Sequence, residues 1–437
     1  MKKLGYLLAG CTLAALLTAS VASAQSRPEF VQMGRVSGAL YKPDNGPAPH
    51  IAFLVAHRSA NNMNNIACRE LSRRGFAVLC FNTRYINNDT IAEAEPVALD
   101  VKAAVEYART VPGITKVILL GHSGGSPLMS FYQAVAENGI SYCQGPNKIV
   151  QCGNALAGMK PADGLLFAEA HPGDGVQSLR GINPSLSIVD GKVKVDPSLD
   201  PFDPKNGYNP NGASKFSKEF RDRYYAAQSR VMNEQLAKAQ ALAERIKKGE
   251  HVYPDSDLIL IPFSKQEGAA RLDLLDPSVE ETMSTRRPQK LLKNDGTIVT
   301  QIVKSIEPPH PDMAKLNRTF EDGVKVQTLQ SYLSINSVKS TNSIDGIDHC
   351  STNSSTVCAV QHIKVPTLIA TMGAYHLLRD EELMYDTSAA TDKDYIVIEG
   401  AELNYTACKE CEKTPGQYGN SAKNMFDYIA KWANARF

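Results

Sequence analysis

Residues 117–128 read Val-Ile-Leu-Leu-Gly-His-Ser-Gly-Gly-Ser-Pro-Leu, and this stretch decides the fold. Val117 to Leu120 make a short, continuous apolar run, the mark of a strand buried on both faces. Residues 128–137 carry a helical pattern. Between them stands Gly121-His122-Ser123-Gly124-Gly125, a Gly-x-Ser-x-Gly. By composition alone such a pentapeptide turns up in about 15% of chains of this length. Its place matters more than its frequency. A strand ends immediately before it and a helix begins immediately after, which is the setting of a nucleophile elbow. The glycines permit a sharp turn without a Cβ clash. The Ser123 hydroxyl would then stand above the sheet at a helix N-terminus, with the Gly124 N–H ready to hold an oxyanion.

Working outward, the same rhythm repeats. Residues 51–56 (Ile-Ala-Phe-Leu-Val-Ala) and 76–81 (Phe-Ala-Val-Leu-Cys-Phe) are buried-strand runs. Between them, 57–65 is a polar, Asn-rich loop and 66–74 a helix. That helix ends on Arg73 and Arg74 with Gly75 behind them, which are good stop signals. Val97, Val101, Val105 and Ala108 recur at helical spacing, and 165–168 is a fourth strand. Strands alternating with helices at these distances predict a mostly parallel α/β sheet with helices on both faces. From 177 to 345 the chain is more polar, with Pro/Asn/Asp clusters and a long helix over 217–248. The α/β rhythm returns at 365–370 and 395–398. A last helix over 422–435 places Met425, Ile429 and Trp432 on one face. The expected organisation is a core half over 25–176, an inserted, partly helical cap over 177–345 and a second core half over 346–437. Phe216, Phe220, Tyr224 and Tyr225 in the cap are spaced like a helix face and read as cap core rather than substrate wall.

The composition is that of a globular protein. The 437 residues carry 47 Lys+Arg against 46 Asp+Glu, a net +1 that argues against a nucleic-acid binder. Lys2 and Lys3, the apolar stretch 4–21 and Ala22-Ser23-Ala24 fit a secretory signal peptide over 1–24. The expected location is therefore periplasmic or secreted, with no membrane span in the mature chain. A retained anchor is one alternative. A lipoprotein attached through Cys11 is another, because Leu8-Ala9-Gly10-Cys11 resembles a lipobox. Eight cysteines remain beyond the leader, an even number that suggests disulfides in an exported chain. Sequence proximity pairs Cys143 with Cys152, Cys350 with Cys358, Cys408 with Cys411 and, less directly, Cys68 with Cys80. No second Cys-x-x-Cys completes a zinc site with Cys408 and Cys411.

With these residues in hand, the chain resembles the α/β-hydrolase superfamily over 28–176 and 346–437. The resemblance rests on His57-Arg58-Ser59 after the first core strand and on Arg73-Arg74-Gly75-Phe76-Ala77-Val78. Residues 121–125 and Glu399-Gly400-Ala401 complete it. It implies Ser123 as nucleophile, Gly124 N–H as one oxyanion donor and the N–H of Arg58 or Ser59 as the other. For His57 itself, plain loop packing is the competing reading. The family's order is Ser, then acid, then His after the last strand. Here Gly400-Ala401-Glu402-Leu403-Asn404 carries Leu403 at the histidine position, and no His follows His376. A leucine cannot accept a proton from Ser123. His376, after the strand that normally precedes the acid, is the best replacement base, oriented by Asp380, Glu381 or Glu402. His171, beside Glu169 and Asp174, is the second candidate. His122 should point away from the elbow, His349 lies in a loop beside Asp348, and His310 looks structural.

The expected function is an exported serine hydrolase cleaving a carboxylic ester or related acyl bond of a small molecule. No metal or organic cofactor is implied. The alternatives are a hydrolase-fold module that binds a small ligand, kept alive by Leu403, and non-hydrolytic chemistry such as lyase or acyl-transfer activity on the same fold.

Overall fold

The computed structural model describes residues 27–250, 258–261, 270–312 and 323–437. The leader and its Cys11 lie outside the described residues. Among those described, no helix is long and apolar enough to cross a membrane.

Among the described residues ten strands make one sheet: β1 (Glu29–Met33), β2 (Val36–Tyr41), β3 (Ile51–Ala56), β4 (Ala77–Asn82), β5 (Lys116–Ser123), β6 (Gly164–Ala170), β7 (Gln289–Leu292), β8 (Ile298–Gln301), β9 (Thr367–Met372) and β10 (Lys393–Ile398). Their order across the sheet is β1-β2-β4-β3-β5-β6-β9-β10-β7-β8. From β4 to β7 every neighbouring pair is parallel, while β1, β2 and β8 run antiparallel to their neighbours.

Alternation along the strands divides the core into two layers. Ala52, Leu54 and Ala56 of β3 face one layer with helices α2 (Ala94–Ala108) and α3 (Gly125–Asn138). Ile51, Phe53 and Val55 face the other, where Met425, Ile429 and Trp432 are buried. That second layer is covered by α1 (Ile66–Ser72) and the C-terminal helix Ser421–Asn434. A strand buried on both faces has no polar side to show, hence the uninterrupted apolar runs.

After β6 come α4 (Asp174–Gly181) and the 30-residue α5 (Lys218–Lys247). The insertion has its own cores. Phe216, Phe220, Tyr224 and Tyr225 pack with Phe202, Leu272 and Leu275, as their helical spacing implied. A second cluster gathers Leu179, Met232, Leu236 and Tyr332. The segment expected to be wholly cap departs from that in one respect, because its hairpin β7–β8 extends the main sheet. Leu291 and Leu292 pair with Val397 and Ile398 of β10. Leu291 enters one core layer and Leu292 the other. The Asp295-Gly296 turn between them, with Gly296 at φ 87°, is a hairpin signal. Among the described residues four disulfides join Cys68–Cys80, Cys143–Cys152, Cys350–Cys358 and Cys408–Cys411, the pairs that sequence proximity suggested.

Candidate active site

Ser123 ends β5 with φ 50°, a left-handed conformation that costs a non-glycine residue energy and persists only where its surroundings enforce it. The enforcement is visible in its neighbours. A Cβ on Gly121 would lie 2.6 Å from Ser126 Cα, and one on Gly125 only 2.2 Å from the Ala56 carbonyl oxygen. The two glycines thus let α3 cross tightly over β5 and β3. The β5–β6 register slips between His122 and Ser123, so that Ser123 lies opposite Ala170. Glu169, beside the slip, also has positive φ, at 49°. Gly124 caps α3, and the unpaired N–H groups of that helix end favour negative charge near the Ser123 hydroxyl.

The elbow opens onto the crevice between β3 and β5. Chain order reverses there, β4 lying on one side of β3 and β5 on the other, and such a crevice is where open α/β sheets take ligands. The loop after β3 lines it. Arg58 lies between two carboxylates. Its Nε and Nη2 reach Asp89 at 2.5 and 3.0 Å, and its Nη1 is bonded to Asp174. Asp174 also accepts the Ser354 hydroxyl at 2.6 Å. Arg58 and its neighbours hold the Asp89 carboxyl far below the usual range against the opposing effect of burial. The Ser59 N–H, expected at the oxyanion, is instead donated to His57 Nδ1 at 3.1 Å, joined there by the Ala60 N–H at 2.9 Å. The short polar loop folds back on its own histidine, which consumes that donor.

Among the described residues Ser123 Oγ has no hydrogen-bond partner, so the histidines must be told apart by protonation. His57 Nδ1 and His171 Nδ1 both accept backbone N–H groups, the latter from Gly173 at 3.2 Å. Their protons therefore sit on Nε2. Burial, and the Arg58 guanidinium after it, push His57 down to about 3 and His171 well below its ordinary value. His122 Nε2 lies 2.7 Å from the Leu403 carbonyl, which only accepts, so this nitrogen is also a donor. His376 differs. Its Nδ1 faces Glu307 Oε2 at 2.9 Å, which leaves the Nε2 lone pair free. Burial raises Glu307, but His376 and His310 outweigh it and hold the carboxyl below its ordinary value.

The orienting acids expected for His376 are engaged elsewhere. Asp380 forms a buried two-pronged pair with Arg180 at 2.6 and 3.0 Å, because α4 brings that guanidinium beside it. Glu381 accepts the Ala170 N–H, and Glu402 the Thr406 hydroxyl. Glu307 takes their place from the insertion, 69 positions from His376. No sequence spacing links the two.

Glu169 and Glu381 form a buried acidic pair behind the elbow. Glu169 Oε2 accepts the Met372 N–H at 2.5 Å, and Glu381 Oε1 the Ala170 N–H at 2.7 Å. Among the described residues the second oxygen of each has no hydrogen-bond partner. Burial first, and for Glu169 the neighbouring Glu381 next, raise both carboxyls well above the usual range.

Strand order, the strained serine after β5 and the helix it opens settle the architecture. The fold is that of the α/β hydrolases. No protein-family model matches the sequence, and no curated protein matches it either. Among solved structures, a hypothetical protein of Pseudomonas aeruginosa is 14% identical, with 95% of each chain covered and a TM-score of 0.43. The siderophore hydrolase EstB of Aspergillus fumigatus is 8% identical over 94% of this chain and 99% of its own, also at 0.43. Est1E of Butyrivibrio proteoclasticus is 9% identical over 94% and 100%, at 0.39.

Against the pattern that the sequence resembles, the departure lies after β10. The loop that resembles the family's histidine loop reaches the elbow, since the Leu403 carbonyl accepts from His122, yet it brings no imidazole of its own. Tyr405 packs on the His122 ring with centroids 4.6 Å apart, closing that side.

Proposed function

We propose that this chain is an exported serine hydrolase that cleaves a small carboxylic ester through an acyl-enzyme on Ser123, with His376 as general base and Glu307 as its orienting acid. The observation that carries the reading is the His376–Glu307 pair, whose tautomer leaves Nε2 as a proton acceptor. β9 lies two strands from β5, about 10 Å away at this edge. Ser123 Oγ attacks the acyl carbon and its proton passes to His376 Nε2. The carbonyl electron pair moves onto oxygen, held by the Gly124 N–H and the α3 terminus. Collapse expels the alcohol, which takes the proton from His376. Water, activated by the same imidazole, then releases the acid. Four disulfides support an oxidising location.

Beside Gly124 a narrow slot of about 10 Å³ has apolar walls from Val97, Leu128, Phe131 and Ile335 and polar ones from Arg58 and Asp174. Ser123→Ala should abolish both fluorophosphonate labelling and hydrolysis of nitrophenyl acetate. His376→Ala should lower kcat by at least about 10²-fold, and Leu403→His should leave it unchanged. Gain of activity in Leu403→His would move the base to the loop after β10.

Leu403 and the unpartnered Ser123 hydroxyl favour a second reading, a ligand-binding module without turnover. Thermal stabilisation by small acids or esters, with no labelling of Ser123, would select it.

A further inference from the structure

We propose that the His57 side chain is an oxyanion donor, its Nε2–H standing beside the Gly124 N–H at the carbonyl oxygen of the acyl group on Ser123. This rests on Ser123 being the nucleophile. Two backbone N–H groups, from Ser59 and Ala60, converge on Nδ1 at 3.1 and 2.9 Å. Nδ1 is therefore an acceptor and the ring proton is fixed on Nε2. That nitrogen faces the elbow, since a Cβ built on Gly124 would lie 2.4 Å from it. Glycine at 124 thus lets the imidazole rest against the backbone of the very residue whose N–H stabilises the oxyanion. The ring is half-buried and reaches the crevice between β3 and β5. Of its neighbours in the loop, Ser59 has spent its N–H on the ring, and the Arg58 guanidinium is engaged by Asp89 and Asp174.

When Ser123 Oγ bonds to the acyl carbon, the carbonyl π pair becomes a third lone pair on oxygen. His57 Nε2–H hydrogen-bonds to that charge and keeps its proton throughout, while the serine proton travels to His376. Burial first, and Arg58 after it, oppose protonation of the ring and so favour the neutral donor.

The test compares the full-length mature protein with His57→Ala and His57→Gln. It measures kcat and KM for nitrophenyl acetate, the rate of fluorophosphonate labelling, and imidazole ¹⁵N–¹H correlation spectra. Loss of one oxyanion donor should lower kcat by about 10²–10³-fold in His57→Ala with KM nearly unchanged. Labelling should slow in parallel. Gln, which keeps an N–H near the same place, should recover most of the loss, and the unsubstituted protein should show the Nε2–H tautomer. Equal labelling and turnover in His57→Ala, a Gln variant as impaired as Ala, or an Nδ1–H tautomer would each overturn the proposal. If His57→Ala fails to fold, the Gln variant and the tautomer decide. Absence of labelling in the unsubstituted protein would instead bring down the nucleophile reading itself.

Discussion

At the scale of single residues, the protein separates two acids that sequence distance would have confused. Asp380 lies four positions from His376, yet its charge is spent on Arg180 inside the fold, and Glu307 holds the imidazole. The two should fail differently. Glu307→Gln removes the negative charge that faces Nδ1–H and leaves only a neutral amide there, without changing shape. It should lower kcat by about 10- to 10³-fold with an unchanged melting temperature. Asp380→Asn leaves Arg180 buried without its counter-charge, and should cost about 3–5 kcal/mol of stability with kcat intact in the folded fraction. Steady-state kinetics beside urea unfolding would show the split. The reverse pattern would return Asp380 to the site.

At the scale of elements, the elbow exists because α3 crosses β3 at a distance only glycine allows. Gly125→Ala would place a methyl 2.2 Å from the Ala56 oxygen, a backbone atom that cannot yield without moving β3. The expected loss exceeds about 4 kcal/mol, together with loss of Ser123 labelling. Gly145→Ala, whose Cβ meets nothing within 4 Å, should stay within about 0.5 kcal/mol and serves as the control. Thermal unfolding of the pair measures both. The motif was legible in the sequence because an elbow is local, since strand, turn and helix are covalently consecutive. The hairpin β7–β8 was hidden for the opposite reason. Its four-residue strands are too short to show a period, and only pairing with β10 makes them part of the sheet.

At the scale of the whole molecule, its buried titratable groups set the pH dependence of stability. Burial is the main cause that lowers His57 to about 3, His122 and His349 to about 4, and His171 well below its ordinary value. Below about pH 6.5 the unfolded chain binds protons there that the folded chain does not, so stability must fall as pH drops toward these folded values. Glu169 and Glu381 act with the opposite sign. Their folded values are raised, so their contribution is complete below the unfolded carboxyl range and is lost as pH rises through the folded values. Urea midpoints across pH 4 to 9 should therefore peak near about pH 6.5. Glu169→Gln should lessen the decline with rising pH. A profile still rising above neutrality would contradict the acidic pair.

What the sequence determined by itself was whatever local physics can express. Apolar runs announced doubly buried strands, Gly-x-Ser-x-Gly announced the strained turn, and short spacings paired the cysteines. The sequence also carries no His after His376. What only the tertiary structure decided were the partners: Glu307 for His376, Arg180 for Asp380, and the Ser59 and Ala60 amides that fix the His57 proton. Hydrogen bonds and ion pairs act over a few ångströms in space regardless of distance along the chain. Residues 69 positions apart meet because the sheet and its insertion close around them, and no periodicity in the sequence records that meeting.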